Sequence, residues 1–177
     1  NERVYEASKD IDCTHIVNVQ GDEILILPKY LEQICKKIKR EPQNLYWNAV
    51  SNITNYEELY NESIVKCFLS NSSDIIFCQR NIKKTIYDNH KSPIKKLLGI
   101  QAFKKEALNL YRKNTPSYFE SKLSIGQLRI IENSYVLKSI NIKNGFKGID
   151  IKKDINIVQN YLKFNKEQKL TLKKIIF

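Results

Sequence analysis

The feature that most constrains this chain is the alternation of two hydrophobic periods. His15–Val19, "HIVNV", is a short apolar run rich in β-branched residues, the composition of a buried strand. Leu31, Ile34, Cys35 and Ile38 then recur at i, i+3, i+4 and i+7, which predicts an amphipathic helix with Lys36, Lys37 and Lys39 on its polar face. Further strands are predicted at Leu45–Val50, Leu97–Phe103 and Val136–Ile142. Two more, Ser63–Ser70 and Asp74–Gln79, flank the polar "NSS" and read as a hairpin. Helical patterns occupy the opening "NERVYEASKD", the short acidic "YEELYN", and the stretch carrying Phe103, Ala107, Leu110 and Tyr111, which Pro116 ends. "SIGQLRIIENSY" also reads as helix, although Gly126 costs about 1 kcal/mol relative to Ala. A last helix places Ile151, Ile155, Val158 and Leu162 on one stripe. Residues 81–96 read as a polar loop, and 166–177 as a basic tail, a short helix or loose chain. Strand–helix alternation with one hairpin predicts an α/β domain on a mixed sheet flanked by helices, and 177 residues fit a single domain over 1–177.

Composition narrows the function classes. No apolar run reaches the roughly 18 residues of a membrane span, and no signal-peptide pattern opens the chain, so no membrane partner and a cytoplasmic location are expected. Cys13, Cys35, Cys67 and Cys78 form no C-x-x-C pair, and His15 and His90 lie far apart; a zinc site is not expected, and the cysteines read as buried thiols. A net charge of +11 suits an anionic partner, yet Arg is scarce and no Arg/aromatic stretch of the kind that stacks bases occurs. No nucleic-acid polymer is expected as partner. None of the five glycines builds a Gly-rich phosphate loop.

Two aspartates stand out by position. Asp22 follows the first strand in "NVQGDE", and Asp150 ends "GFKGID" after the last. Both come one or two residues after a glycine, so the backbone can turn and aim the carboxylate outward. Two carboxylates converging at sheet ends would suit Mg²⁺, a hard cation commonly held by one or two carboxylates and substrate phosphates. On the residues alone the alternative is a turn role for Asp22 and a helix N-cap for Asp150.

In order along the chain, "NVQGDE", "ESIVKCFLS" with "IIFCQR", "LLGIQAF", "ESKLSIGQLRIIENSY" and "GIDIKKDI" resemble motifs of the 3-deoxy-manno-octulosonate cytidylyltransferases, the CMP-Kdo synthetases. The resemblance implies a nucleotide-diphospho-sugar transferase fold. The activity it implies couples CTP with an acidic, Kdo-like sugar and releases pyrophosphate, in lipopolysaccharide or capsule precursor synthesis. It matches Asp22 and Asp150 to the family's metal-binding and catalytic aspartates, with Mg²⁺ as cofactor. Arg3, Gln20, Arg80 and Gln127 match substrate-side positions. For Arg3 a surface salt bridge is the plain alternative, and for the two glutamines a structural hydrogen bond. By analogy the family implies a homodimer, with the hairpin as a plausible contact.

The sequence also departs from the family. The family's opening strand and basic, glycine-containing triphosphate loop have no counterpart, so the chain resembles the C-terminal two-thirds and is expected to be nearly inactive alone. Leu97 stands in place of a histidine and Gly126 in place of a glutamate, both on the sugar side. Neither replacement can hydrogen-bond a sugar through its side chain. The departures point either to a different sugar, such as an amino or deoxy variant, or to a degenerate homologue with a binding or scaffold role.

Overall fold

The computed structural model describes residues 2–90, 93–143, 145, 148, 149 and 152–176. In chain order these form α1 (Glu2–Ser8), β1 (His15–Val19), α2 (Pro28–Arg40), β2 (Tyr46–Ser51), α3 (Glu57–Tyr60), β3 (Lys66–Leu69) and β4 (Ile75–Gln79). Then come α4 (Lys84–Asn89), β5 (Ile94–Lys104), α5 (Lys105–Lys113), α6 (Tyr118–Leu123), α7 (Gln127–Glu132), β6 (Leu137–Asn141), α8 (Lys152–Phe164) and α9 (Lys166–Ile176).

The strands make one mixed, six-stranded sheet in the order β4-β3-β5-β2-β6, with β1 also on β5. The long strand β5 organises it. Its C-terminal half pairs with β1, from His15 opposite Lys104 to Val19 opposite Ile100, and its N-terminal half pairs with β3, Lys66 opposite Lys96. Because β1 and β2 are both antiparallel to β5, and β6 is parallel to β2, the strands β1, β2 and β6 end at the same edge of the sheet. That edge is where an open α/β sheet presents its ligand site.

Two helical layers bury β2 on both faces: all six of its residues are buried, the polar Asn48 and Ser51 included. On one face Ile34 and Ile38 of α2 pack against Trp47, Ala49, Ile100, Ala102 and Ile140. On the other, Ala107, Leu108 and Tyr111 of α5 and Leu128 and Ile130 of α7 cover Tyr46, Val50 and Phe103. Truncating Ile34, 1% exposed, to Ala is expected to cost about 2–5 kcal/mol. Pro28 at the first position of α2 and Lys37, Lys39 and Arg40 in its last turn suit the helix ends.

Several boundaries differ from the sequence reading. Residues 81–96 are not one loop: α4 lies within them, and β5 begins at Ile94. The isolated apolar residues Ile82 and Ile94, each 1% exposed, bury against Leu59 and Ile53 and fix that segment. The helix expected across 124–135 is confined to α7, because Ser124 turns with a left-handed φ of 52°. α6, which buries none of its residues, gave no periodic signal. In α8, Val158 is buried, but Ile155 is 41% exposed and Asp154 is buried; Ile151 lies outside the described residues. The basic tail forms α9, where Gln168 donates from Nε2 to the Leu25 carbonyl at 2.6 Å. The cysteines divide: all four are free, with Cys67 and Cys78 buried, Cys13 half-buried and Cys35 exposed on α2. No helix of the described residues is long and apolar enough to cross a membrane.

Candidate active site

The turn after β1 is built around Gly99. The Gln20 amide continues the ladder by donating to the Gly99 carbonyl at 2.9 Å, and the Gly99 amide donates to Glu23 Oε1 at 2.5 Å. A Cβ at Gly99 would lie 2.7 Å from Gln20 Oε1 and 2.8 Å from Glu23 Oε1, so only glycine lets both side chains close over the strand. Glu23, 9% exposed, is thereby a brace for the turn. The brace leaves Asp22 half-buried and facing a cavity. Among the described residues, the Asp22 carboxylate accepts no hydrogen bond.

Gly148 and Ile149, which precede Asp150 in the chain, close on the same turn. The Ile149 amide donates to the Asp22 carbonyl at 3.2 Å, and a Cβ on Gly148 would stand 2.6 Å from Asp22 Oδ2. Asp150 itself lies outside the described residues.

The cavity, about 430 Å³, is lined on this side by Gln20, Asp22, Glu23 and Gly148. Its opposite wall comprises Ser63, Ile64, Val65 and Arg80 at the base of the hairpin, with Ser124, Ile125, Gly126 and Gln127 between α6 and α7. Leu97 to Gly99 line it from β5. A larger cleft of about 540 Å³ runs between α2 and β6 under Lys29, Lys36, Lys37 and Arg40. The smaller cavity is the candidate site, because residues distant in sequence and singled out for their chemistry converge there.

Four of the six predicted site residues, Gln20, Asp22, Arg80 and Gln127, line that cavity together. Arg3 does not: it is exposed on α1, which packs against α5. The Gln127 amide nitrogen donates to Asn48 Oδ1 at 2.9 Å, which holds its side chain against β2. Arg80 donates to three carbonyls, Nε to Leu123 at 3.0 Å, one terminal nitrogen to Glu62 at 2.6 Å and the other to Ser124 at 2.9 Å. Leu97 and Gly126, the two departures from the family, line the cavity as well.

Sequence reasoning passed over Asn48 and Lys66. Asn48, fully buried in β2, donates to the Leu98 carbonyl at 3.0 Å and accepts from Gln127. Lys66, fully buried in β3, donates to the carbonyls of Asn61 at 2.8 Å, Ile64 at 2.7 Å and Arg80. Burial lowers its pKa to about 8, and Glu58 acts in the opposite direction. Each is a polar residue inside an apolar run, "YWNAV" and "IVKCF", and that intrusion was the available signal.

For a divalent metal, the oxygen-only character of Asp22 and its neighbours suits a hard cation. Among the described residues, no group of three or more His, Cys, Asp or Glu side chains converges as a metal site. A cation here would therefore rest on Asp22, a carboxylate from outside the described residues, and phosphate or water oxygens.

The family model described as "Cytidylyltransferase" matches residues 1–144. The chain belongs to the cytidylyltransferase family. Its relatives include the 3-deoxy-manno-octulosonate cytidylyltransferase of Zea mays, 29% identical over 164 residues, which span 90% of this chain and 55% of the relative. The enzyme of that name from Elusimicrobium minutum is 27% identical over 168 residues, 93% of this chain and 69% of the relative. The chain thus spans little more than half the length of the plant relative. Among solved structures, CMP:2-keto-3-deoxy-manno-octonic acid synthetase complexed with CTP superposes with a TM-score of 0.81 at 21% identity, over 91% of this chain and 66% of that one. An inositol-1-phosphate CTP transferase from T. maritima gives a TM-score of 0.56 at 12% identity, over 91% of this chain and 61% of that one. These likenesses establish a shared fold.

Proposed function

We propose that this chain supplies the metal and sugar side of an enzyme that transfers CMP from CTP to a Kdo-like acidic sugar and releases pyrophosphate. The observation that carries the reading is the convergence of Gln20, Asp22 and Gln127 on one cavity at the carboxyl ends of the strands. Family membership and the names of the relatives agree with it. In this reading Asp22 and Asp150 hold Mg²⁺. The hydrogen bond from Ile149 to Asp22 supports it, because Ile149 immediately precedes Asp150 in the chain. Bound there, the cation would neutralise charge on the nucleotide phosphates and lower the pKa of the attacking sugar hydroxyl.

The chain's own residues orient the reactants. Gln20 and Gln127 present amide groups from opposite walls, and Gln127 is fixed through its bond to Asn48, so its carbonyl oxygen is available to accept from a sugar hydroxyl. Glu23 sets the turn that aims Asp22. Arg3, outside the cavity lining, has no part in this reading.

A second reading keeps the chemistry and changes the sugar. Leu97 and Gly126 both line the cavity, so neither side chain there can bind a carboxylate or hydroxyl. The test is pyrophosphate release from CTP and Mg²⁺ with a panel of sugars, in a protein carrying this chain and the family's triphosphate loop. Release with Kdo, reduced about a hundredfold or more in Asp22→Asn, is expected. Turnover of another sugar alone selects the second reading, and release unaffected by Asp22→Asn contradicts both.

A further inference from the structure

We propose that Lys66 and Arg80 form a positioning pair, joining three separate segments into one wall of the cavity. The proposal deepens the reading above in so far as the cavity is the substrate cavity; the coupling itself belongs to the ligand-free chain.

Lys66 is fully buried directly behind that wall. An ammonium carries three protons, and Lys66 places them on three carbonyls: Asn61, Ile64 and Arg80. Its side chain therefore ties the loop before β3 to the residue after β4. Directly across the ladder, Lys96 is buried too and is paired with Glu58 at 2.6 Å, so Glu58 serves Lys96 first and leaves Lys66 to the main chain. A buried ammonium is costly unless its protons are satisfied, and at Lys66 they are satisfied by backbone whose course they set.

Arg80 continues the connection outward. Its guanidinium holds the Glu62 carbonyl on one side and the Leu123 and Ser124 carbonyls on the other. Ser124 has a φ of 52°, a left-handed conformation that costs a non-glycine residue about 1–2 kcal/mol and persists only when its surroundings hold it. Two of the three Arg80 bonds end on that turn. The turn in turn delivers Ile125, Gly126 and Gln127 to the cavity. Lys66 thus reaches Gln127 through Arg80, although the two are far apart in the chain. Three of the five Arg80 donors are thus engaged by the carbonyls of the wall, one from each guanidinium nitrogen.

The test is amide hydrogen exchange on the ligand-free 177-residue chain. Arg80→Lys keeps the charge and loses the reach to three carbonyls; Lys66→Met keeps most of the volume and loses all three protons. In each variant, exchange in residues 61–65 and 123–127 is expected to quicken about tenfold more than in β2 and β6, the size of one lost charge-assisted hydrogen bond. The decisive segment is 123–127 in Lys66→Met, since Lys66 makes no bond to it. Unchanged protection of 123–127 in either variant, or a uniform rise through the sheet, overturns the proposal. If Lys66→Met does not fold, Arg80→Lys is read at Ile64 and Val65, which Arg80 does not bond, and unchanged protection there overturns the proposal. No nucleotide or sugar enters this readout, so a failed transferase assay and a failed coupling remain separate outcomes.

Discussion

The turn after β1 and the base of the β3–β4 hairpin face each other across one cavity, and both carry charged residues. They use them in opposite ways. At the turn, neutral backbone and Glu23 make the structure, and the Asp22 carboxylate is left facing the cavity. At the hairpin, Lys66 and Arg80 are engaged by carbonyls and serve the wall itself. Nearness to a cavity therefore does not make a charged residue a ligand contact. What decides is whether its donors and acceptors are already taken.

Four changes would break or sharpen that contrast. The largest effect is expected from Lys66→Met, which takes the donor from three carbonyls, that of Ile64 buried and those of Asn61 and Arg80 partly so, and should lower the unfolding free energy by about 3 kcal/mol, read from the urea midpoint. The same residue gives the pH test. Burial lowers the folded Lys66 pKa to about 8, from an ordinary value of 10.5 in the unfolded chain. Between those values the unfolded state binds more protons, so this group makes stability rise with pH. Subtracting the Lys66→Met profile from that of the unaltered chain should show a rising difference over that window; a flat one would mean the ammonium is not depressed.

On the turn side, Gly148→Ala adds a Cβ 2.6 Å from Asp22 Oδ2 and 3.1 Å from its carbonyl oxygen. A stability loss of about 1–3 kcal/mol is expected from overpacking, together with weaker Mn²⁺ binding by titration. Smallest of all is Asp22→Asn, expected to change stability by less than about 0.5 kcal/mol while removing metal binding. A destabilisation comparable to that of Lys66→Met would erase the distinction between the two sides.

Much of the fold was legible because burial writes a period into the chain. "HIVNV", "LYWNAV" and "VLKSINI" gave strands within a residue or two of β1, β2 and β6, and Ile34 and Ile38 marked the buried stripe of α2. α4 and α6 bury none of their own residues, so no stripe announced them. At the site, Asp22 could be singled out by its place after an apolar run and a glycine, although β1, read as a buried strand, is half-buried throughout because it pairs only with β5 among the described strands. The engagement of Arg80 could not, since its partners Leu123 and Ser124 are bound through main-chain oxygens that any sequence would provide. Nothing in the strand pattern singled out Lys66, although a lysine between Val65 and Cys67 is an expensive thing to bury.

The central claim is that Asp22 and Asp150 share one divalent cation. Paramagnetic broadening by Mn²⁺ in the 177-residue chain measures it most directly. The account predicts that amide signals of Asp22, Gly148 and Ile149 broaden together at low Mn²⁺, and that the broadening disappears in both Asp22→Asn and Asp150→Asn. Signals that stay sharp at those residues, or broadening that survives either substitution, would contradict it.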